Sequence, residues 1–161
     1  MSSPLKVPTA REIMTTSLVT LRPEMTAVDA AEILLRRKIS GAPVLAEDGR
    51  MLGLLSEYDC LRAVAAAEYE MDRHDALETV ADLMTTDCHT IGPDLGLFGI
   101  AHEFVRLRVR RLPVLEDGRL LGQVSRRDAL RAAVALRREM SRTRHYPDYP
   151  QGRDPIRNYP R

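Results

Sequence analysis

Residues 40–66 read SGAPVLAEDGRMLGLLSEYDCLRAVAA, and residues 110–135 read RRLPVLEDGRLLGQVSRRDALRAAVA. The two stretches share, in the same order, a Pro-Val-Leu motif, a Glu-Asp-Gly-Arg motif, a Leu-Gly pair and a Ser-x-x-Asp motif. Only Ala46, which the first stretch carries in addition, shifts the alignment by one position. Further towards the N-terminus, Met14-Thr15-Thr16 recurs as Met84-Thr85-Thr86. So many ordered matches indicate a tandem duplication, and the duplication constrains the fold before local propensities are considered.

Each copy has the same predicted order of elements, β-α-β-β-α. An Asp-Gly pair lies between two apolar runs in each copy, at 48–49 and 117–118. Asp and Gly tolerate the positive φ of a tight turn, so each pair predicts a β-hairpin. The predicted strands are 18–21, 42–45 and 51–55 in the first copy, and 88–91, 112–115 and 120–124 in the second.

The helix that follows the first predicted strand is marked by caps and by an apolar stripe. Thr26 and Asp94 are candidate N-caps in the two copies, because a side-chain oxygen there accepts from the free N–H groups of the first turn. The stripe of the first copy has helical spacing. Its members are Ala27, Ala30, Ala31, Leu34 and Leu35.

The fold class is therefore α/β, with two tandem repeats joined into one pseudo-two-fold module. A single copy of about 60 residues has only a marginal core of its own, so the copies are expected to pack together and leave a cleft between them. The predicted divisions are a first repeat over 8–66, an acidic connector over 67–78, a second repeat over 79–140 and an irregular or disordered tail over 141–161.

The composition of the 161 residues is that of a soluble globular protein, with 44% hydrophobic and 29% charged residues. A formal net charge of +1 excludes a strongly basic nucleic-acid binder on bulk charge, although positive charge concentrates after residue 100. Cys60 and Cys88 form neither a disulfide framework nor a zinc spacing. With no signal-peptide pattern and no apolar run of membrane-spanning length, the prediction is a cytoplasmic protein without a membrane partner.

Two Ser-x-x-Asp motifs, Ser56 to Asp59 and Ser125 to Asp128, are placed where a strand gives way to a helix. The free N–H groups of the first helical turn favour an anion such as a phosphate. A carboxylate one turn further on is able to accept hydrogen bonds from two vicinal hydroxyls. The alternative interpretation is a plain capping box, in which Ser and Asp satisfy only the helix terminus.

These motifs, together with Ser40-Gly41-Ala42-Pro43-Val44 and Arg111-Leu112-Pro113-Val114, resemble a pair of CBS domains, the tandem unit called a Bateman module. The resemblance covers roughly residues 8–138. It implies a regulatory protein rather than an enzyme, with an adenosine-containing ligand in the cleft: AMP, ADP or ATP in the first place, with S-adenosylmethionine and NAD as further candidates. It also implies that Asp59 and Asp128 hold the ribose.

The resemblance implies two sites that differ in charge. One combines Ser56 and Asp59 with Arg110 and Arg111, and it is expected to prefer the more highly charged ligand because Arg binds phosphate in a bidentate way. The other lacks this charge and is expected to take a neutral moiety or to stay empty. The alternative for the arginines is a solvated edge. The candidate nucleotide-binding residues are Thr16, Val19, Ser40, Gly41, Pro43, Ser56, Asp59, Thr86, His89, Arg110, Arg111, Pro113, Ser125 and Asp128.

The resemblance further implies a homodimer that pairs through the repeat helices and acts on a separate regulated protein. No catalytic residue, metal site or required cofactor is predicted, because the scattered Cys and His residues do not repeat between the copies. Two alternatives stay open. One is a constitutive protein-interaction scaffold with an empty cleft, and the other is a nucleic-acid-associated protein that uses the basic C-terminal segments.

Overall fold

A computed structural model describes residues 6–67 and 78–143, and it has the predicted α/β architecture with two repeats. Each repeat consists of a short helix, a longer helix, an antiparallel hairpin and a final helix. The elements are α1 (Ala10–Ile13), α2 (Ala27–Arg37), β1 (Gly41–Leu45), β2 (Met51–Ser56), α3 (Glu57–Ala67), α4 (Val80–Leu83), α5 (Leu97–Leu107), β3 (Arg111–Glu116), β4 (Arg119–Ser125) and α6 (Arg126–Thr143).

Both predicted hairpins are confirmed. Strands β1 and β2 pair antiparallel, as do β3 and β4, and in each pair the register shifts by one residue after the Pro-Val dipeptide. The turn glycines Gly49 and Gly118 have φ values of 83° and 79°, the left-handed region that glycine enters without steric cost. The turn chemistry of the Asp-Gly pairs therefore sets both hairpins.

The predicted strands 18–21 and 88–91 are wrong as continuous strands. Only Leu21 pairs with Val44, and only Ile91 pairs with Val114, each as a single parallel bridge. The reason is that the chain crosses between the two sheets here. Thr15, a few residues before Leu21, already pairs with Gln123 of the other repeat, so the segment between them follows neither sheet for its full length.

This crossing exchanges the leading segments of the two repeats. Thr15 pairs with Gln123 on β4, and Thr85 pairs in the same way with Leu54 on β2. Helix α1 accordingly buries Ala10 in the core of the second repeat, while α4 buries its apolar side chains in the core of the first. Each core thus contains residues from both halves of the sequence, and neither repeat is complete without the other.

The predicted caps and stripe are confirmed only in part. The Asp29 N–H donates to Thr26 Oγ1 at 3.1 Å, as expected of an N-cap. The prediction for Asp94 is wrong, because α5 begins later, at Leu97, with Gly96 at the N-cap. Ala30 and Leu34 are buried, but Leu35 is 71% exposed, because the buried face of α2 is narrower than the sequence stripe.

Helix α6 continues to Thr143, past the predicted limit of the second repeat at residue 140, so the first positions of the predicted irregular tail are helical. The rest of that tail, 144–161, and most of the predicted connector lie outside the described residues. Within the described ranges, no helix combines the length and the apolar character that crossing a membrane requires.

Candidate functional site

A cavity of about 340 Å³ lies between the two repeats, beside the strand β4 to helix α6 junction. One wall comes from the first repeat and the other from the second, because the exchanged segment 15–19 passes over β4. The lining residues are Thr15, Ser17, Leu18, Val19, Ile39, Gly41 and Pro43 from the first repeat, and Arg111, Gln123, Ser125 and Asp128 from the second. We refer to this space as the Asp128 cavity.

One carboxylate oxygen of Asp128 accepts the hydrogen bonds of the capping box, and the other has fewer contacts. Ser125 donates to Asp128 Oδ2 from its backbone N–H at 2.9 Å and from its hydroxyl at 2.6 Å. The Asp128 N–H in turn donates to Ser125 Oγ at 3.1 Å. Among the described residues, the second oxygen, Oδ1, contacts only the Arg131 guanidinium, at 3.4 Å. The capping box is therefore real, and it holds the carboxylate in place with Oδ1 available to a ligand.

Arg111 supplies positive charge to the same cavity. It stands directly across the hairpin from Ser125, which places it close to the start of α6. Among the described residues Arg111 forms no ion pair, so its charge is not neutralised by a protein carboxylate. The equivalent position in the first repeat is Gly41, which has no side chain and leaves the facing wall of the cavity open.

The prediction grouped Arg110 and Arg111 with Asp59 and did not assign Arg111 to the cavity of Asp128. Arg111 lines that cavity because β3 and β4 belong to one hairpin, whose register sets Arg111 opposite Ser125. Arg110 is exposed, and its carbonyl accepts from the Arg126 N–H at 3.3 Å. Arg111 thus adds positive charge to the cavity that the sequence assigned to the neutral site, and its predicted grouping with Asp59 stays a prediction.

The Ser56 and Asp59 pair forms the same capping box in the first repeat. Ser56 donates to Asp59 Oδ2 from its N–H at 2.9 Å and from its hydroxyl at 2.6 Å. The Asp59 side chain is 7% exposed, compared with 19% for Asp128. The nearby Cys88 thiol donates to the Thr85 carbonyl at 3.0 Å, and burial raises the pKa of that thiol. Of the two carboxylates, Asp128 is the more accessible to a ligand.

Several predicted site residues lie elsewhere. Thr16, Thr86 and His89 are exposed and are not part of the Asp128 cavity wall. Ser40 uses its carbonyl to accept from the Glu57 N–H at 3.0 Å. Pro113 is buried, and its carbonyl accepts from the Ile91 N–H at 2.9 Å. Ser40 and Pro113 therefore contribute backbone hydrogen bonds, and neither is a lining residue of the Asp128 cavity.

The structure also adds residues that the sequence prediction did not single out: Thr15, Ser17, Leu18, Ile39 and Gln123. A period-two pattern contains the signal for two of them. Side chains two positions apart in extended chain share a face, so Gln123 accompanies Ser125, and Ile39 accompanies Gly41. The part of the chain that the structure describes contains no cluster of three His, Cys, Asp or Glu side chains able to hold a metal ion.

Two α/β repeats that exchange their leading segments around a shared cleft define a paired-repeat module of the CBS class. Residues 10–66 and 80–135 each match the CBS domain family, and the chain belongs to that family. It is 31% identical over 159 residues to the chloroplastic CBS domain-containing protein CBSX1 of Arabidopsis thaliana, covering 83% of this chain and 67% of that protein.

Two further relatives show which part of the chain is shared with similar proteins. Protein MJ1225 of Methanocaldococcus jannaschii is 31% identical over 121 residues, and the match spans 75% of this chain but only 41% of that protein. The solved structure of CBSX2 in complex with AMP superimposes with a TM-score of 0.71 at 28% identity, covering 81% of this chain and 98% of that one. The CBS pair is thus the shared unit, and some relatives contain more than it.

Proposed function

We propose that this protein is a non-catalytic regulatory module that binds an adenosine nucleotide of the AMP, ADP or ATP class in the Asp128 cavity. The observation that carries the proposal is a single cavity lined by Asp128, by Arg111, which forms no ion pair among the described residues, and by apolar residues from the other repeat. Its volume of about 340 Å³ is within the usual range for small-ligand sites. CBSX2, a relative with the same fold, is known in complex with AMP.

Each part of the nucleotide has a matching group in this proposal. Asp128 Oδ1 accepts hydrogen bonds from the two vicinal ribose hydroxyls, because Oδ2 is already held by Ser125. Arg111 pairs with phosphate oxygens through its planar fork of donors. The purine packs against the apolar wall formed by Leu18, Val19, Ile39 and Pro43. S-adenosylmethionine and NAD share the adenosine part and remain candidates by the family resemblance.

The regulatory effect follows from the walls of the cavity. A ligand that contacts both repeats favours the arrangement in which the exchanged segment 15–19 lies on β4, and this shifts the population of conformations that a partner protein recognises. We infer that the regulated partner is a separate protein. The free thiols of Cys60 and Cys88 are consistent with a reducing compartment such as the cytoplasm.

We also propose that the protein forms a homodimer through its repeat helices. Large apolar side chains are exposed on α2 and α3 and again on α5 and α6, which is unfavourable for an isolated module. Between α5 and α6 they border a groove of about 440 Å³. A second copy would cover these surfaces. The exposed residues are Val28, Leu35, Tyr58, Leu61, Val64, Phe98, Val105, Leu130 and Val134.

Isothermal titration of the protein with AMP, ADP, ATP, S-adenosylmethionine and NAD tests the nucleotide proposal. Asp128→Ala and Asp59→Ala form a matched pair, because each removes the same capping box but only Asp128 lines the described cavity. We expect Asp128→Ala to weaken the nucleotide at least ten-fold at the site that Arg111→Gln also weakens. Unchanged affinity in Asp128→Ala contradicts the assignment. No binding of any compound favours the scaffold with an empty cleft.

Analytical ultracentrifugation tests the dimer. Leu130 is 66% exposed and borders the α5 and α6 groove, so Leu130→Glu is expected to give a monomer. Arg138→Ala, on the same helix but not on the groove wall, is the control and is expected to remain a dimer. A dimer that persists with Leu130→Glu contradicts this interface.

A further inference from the structure

A second, larger cleft lies on the first repeat, between the exchanged segment and the last turns of α2. Its volume is about 790 Å³. Arg36 and Arg37 face this cleft from the helix, and the hydroxyls of Ser17 and Thr20 face it from the opposite side. The complete lining is Ser17, Leu18, Val19, Thr20, Ile33, Arg36 and Arg37. We refer to this space as the α2 cleft.

The two arginines of the α2 cleft have no acidic partner. Within 6–67 and 78–143, neither Arg36 nor Arg37 takes part in an ion pair or a side-chain hydrogen bond. Glu32 lies on the same helix one turn earlier and forms no ion pair with either. Two adjacent guanidiniums beside hydroxyl groups therefore present donors and positive charge to the same space.

The second repeat shows that this charge is not a general feature of the fold. Arg106, the counterpart of Arg36, is ion-paired with Glu103 at 2.5 Å. The first repeat has Ile33 at the position of Glu103, and the second has Leu107 at the position of Arg37. Because the first repeat has Ile33 in place of a glutamate, Arg36 lacks the negative partner that Arg106 has. Because it has Arg37 in place of a leucine, it carries a second positive charge. Of the two repeats, the first has two adjacent arginines without an ion pair at these positions, and the second has one arginine that is paired.

The α2 cleft and the Asp128 cavity share a wall, because Ser17, Leu18 and Val19 line both. Any displacement of this segment by a ligand on one side changes the geometry on the other. Binding at the two places is then energetically coupled, and the coupling is reciprocal.

We propose that the α2 cleft binds phosphate groups through Arg36 and Arg37, and that its occupancy is coupled to the Asp128 cavity through the segment 17–19. Planar guanidiniums match phosphate oxygens in a bidentate way, and hydroxyls of Ser and Thr complete such sites. The phosphate belongs either to a free polyphosphate or to the distal end of a nucleotide that extends beyond the Asp128 cavity. With a free polyphosphate the site goes beyond the proposed function, whereas with the distal end of a nucleotide it rests on that function.

Titration with inorganic pyrophosphate at low ionic strength tests the site in the full-length chain. The test variant is Arg36→Gln with Arg37→Gln, and the matched control is Arg106→Gln, which removes the equivalent but ion-paired cation. We expect the double variant to lose at least ten-fold in pyrophosphate affinity and the control to bind as the wild type does. Circular dichroism establishes that all variants are folded.

Three results would overturn the proposal: no pyrophosphate binding to the wild type, equal affinity in the double variant, or binding that is lost only in Arg111→Gln. Titration in the presence of saturating AMP distinguishes the two sources of phosphate. If pyrophosphate still binds when AMP saturates the protein, with the same or a changed affinity, the phosphate belongs to a separate polyphosphate. If ATP displaces pyrophosphate, and the double variant loses more affinity for ATP than for AMP, the phosphate is the distal end of a nucleotide. Asp128→Ala is expected to retain pyrophosphate binding, because Asp128 does not line the α2 cleft. Loss of nucleotide binding in this variant therefore does not count against the phosphate site.

Discussion

Substitution of Gly122 by alanine tests the exchange of segments between the repeats. Gly122 lies on β4 beneath the exchanged segment, and a Cβ there would lie 2.7 Å from the Thr15 carbonyl oxygen and 2.8 Å from Met14 Sδ. Contacts below 3.0 Å essentially do not occur for real Cβ atoms, and the nearest atom is backbone, so the segment has to move. The movement strains the two hydrogen bonds that join Thr15 and Gln123, at 2.9 and 3.0 Å.

The size of the effect follows from these contacts. Forcing one extra carbon into a packed position costs about 1–3 kcal/mol. Weakening a hydrogen bond that joins the repeats adds roughly 0.5–1.5 kcal/mol. We therefore expect Gly122→Ala to lower the free energy of unfolding by about 1.5–4.5 kcal/mol. At about 2–4 °C for each kcal/mol in a chain of this size, Tm falls by roughly 3–18 °C.

Urea denaturation without nucleotide, at one protein concentration, measures this loss. Gly92→Ala is the control, because a Cβ at Gly92 meets nothing within 4 Å and no positive φ is involved. Its stability is expected to be unchanged or to rise by up to about 1 kcal/mol through a less flexible unfolded chain. Equal stabilities of Gly122→Ala and Gly92→Ala would refute the close passage of Thr15 over β4.

Two further predictions concern packing and pH. Leu34→Ala, at a site 1% exposed, is expected to cost about 2–5 kcal/mol in urea denaturation, whereas Leu35→Ala, at a site 71% exposed, changes stability by less than about 0.5 kcal/mol; similar losses would contradict the burial of α2. The backbone N–H of Thr79 holds the pKa of Asp82 below its usual value of 3.8. The ionised form is thus favoured by folding, so its stabilisation is present above that value and is lost as the pH falls through the lowered pKa. The stabilities of wild type and Asp82→Asn should differ at pH 7 and draw together in acid, and a difference that does not shrink as the pH falls below 3.8 would rule out this origin.

The local elements were predictable because their signals are local. The Asp-Gly turns are set by the positive φ at Gly49 and Gly118, and the Thr26 cap by one side-chain hydrogen bond. Both are decided within a few residues of the chain. Asp94 shows the limit of such signals, because a residue of the capping type did not fix the start of the helix: α5 begins at Leu97, with Gly96 as its N-cap. Which members of the α2 stripe are buried likewise depends on the residues that pack against the helix, and these are distant along the chain.

The sequence predicted which residue types form the site better than it predicted which of these residues lie together in one cavity. Ser125 and Asp128 lie in one cavity with Val19, Gly41 and Pro43, in keeping with the predicted grouping of that site. Their contact with a ligand stays a prediction. Arg111 was grouped with Asp59 because the family resemblance implies contact across the repeats, and that grouping stays a prediction. Its place in the Asp128 cavity follows from the register of the hairpin, which sets Arg111 opposite Ser125.

The sequence alone determined the duplication, because the same motifs recur in the same order, and the hairpins, because each depends on residues that are close along the chain. It left the two Ser-x-x-Asp motifs open between a ligand site and a capping box. Only the tertiary structure decided that Thr15 lies on β4 and Thr85 on β2. The physical reason is the symmetry of the repeat. Strands β2 and β4 present equivalent edges to equivalent segments, so local sequence does not distinguish pairing within a repeat from exchange. That choice depends on how both cores are filled at once, and it brings Thr15, Ser17, Leu18 and Val19 to the cavity of Asp128.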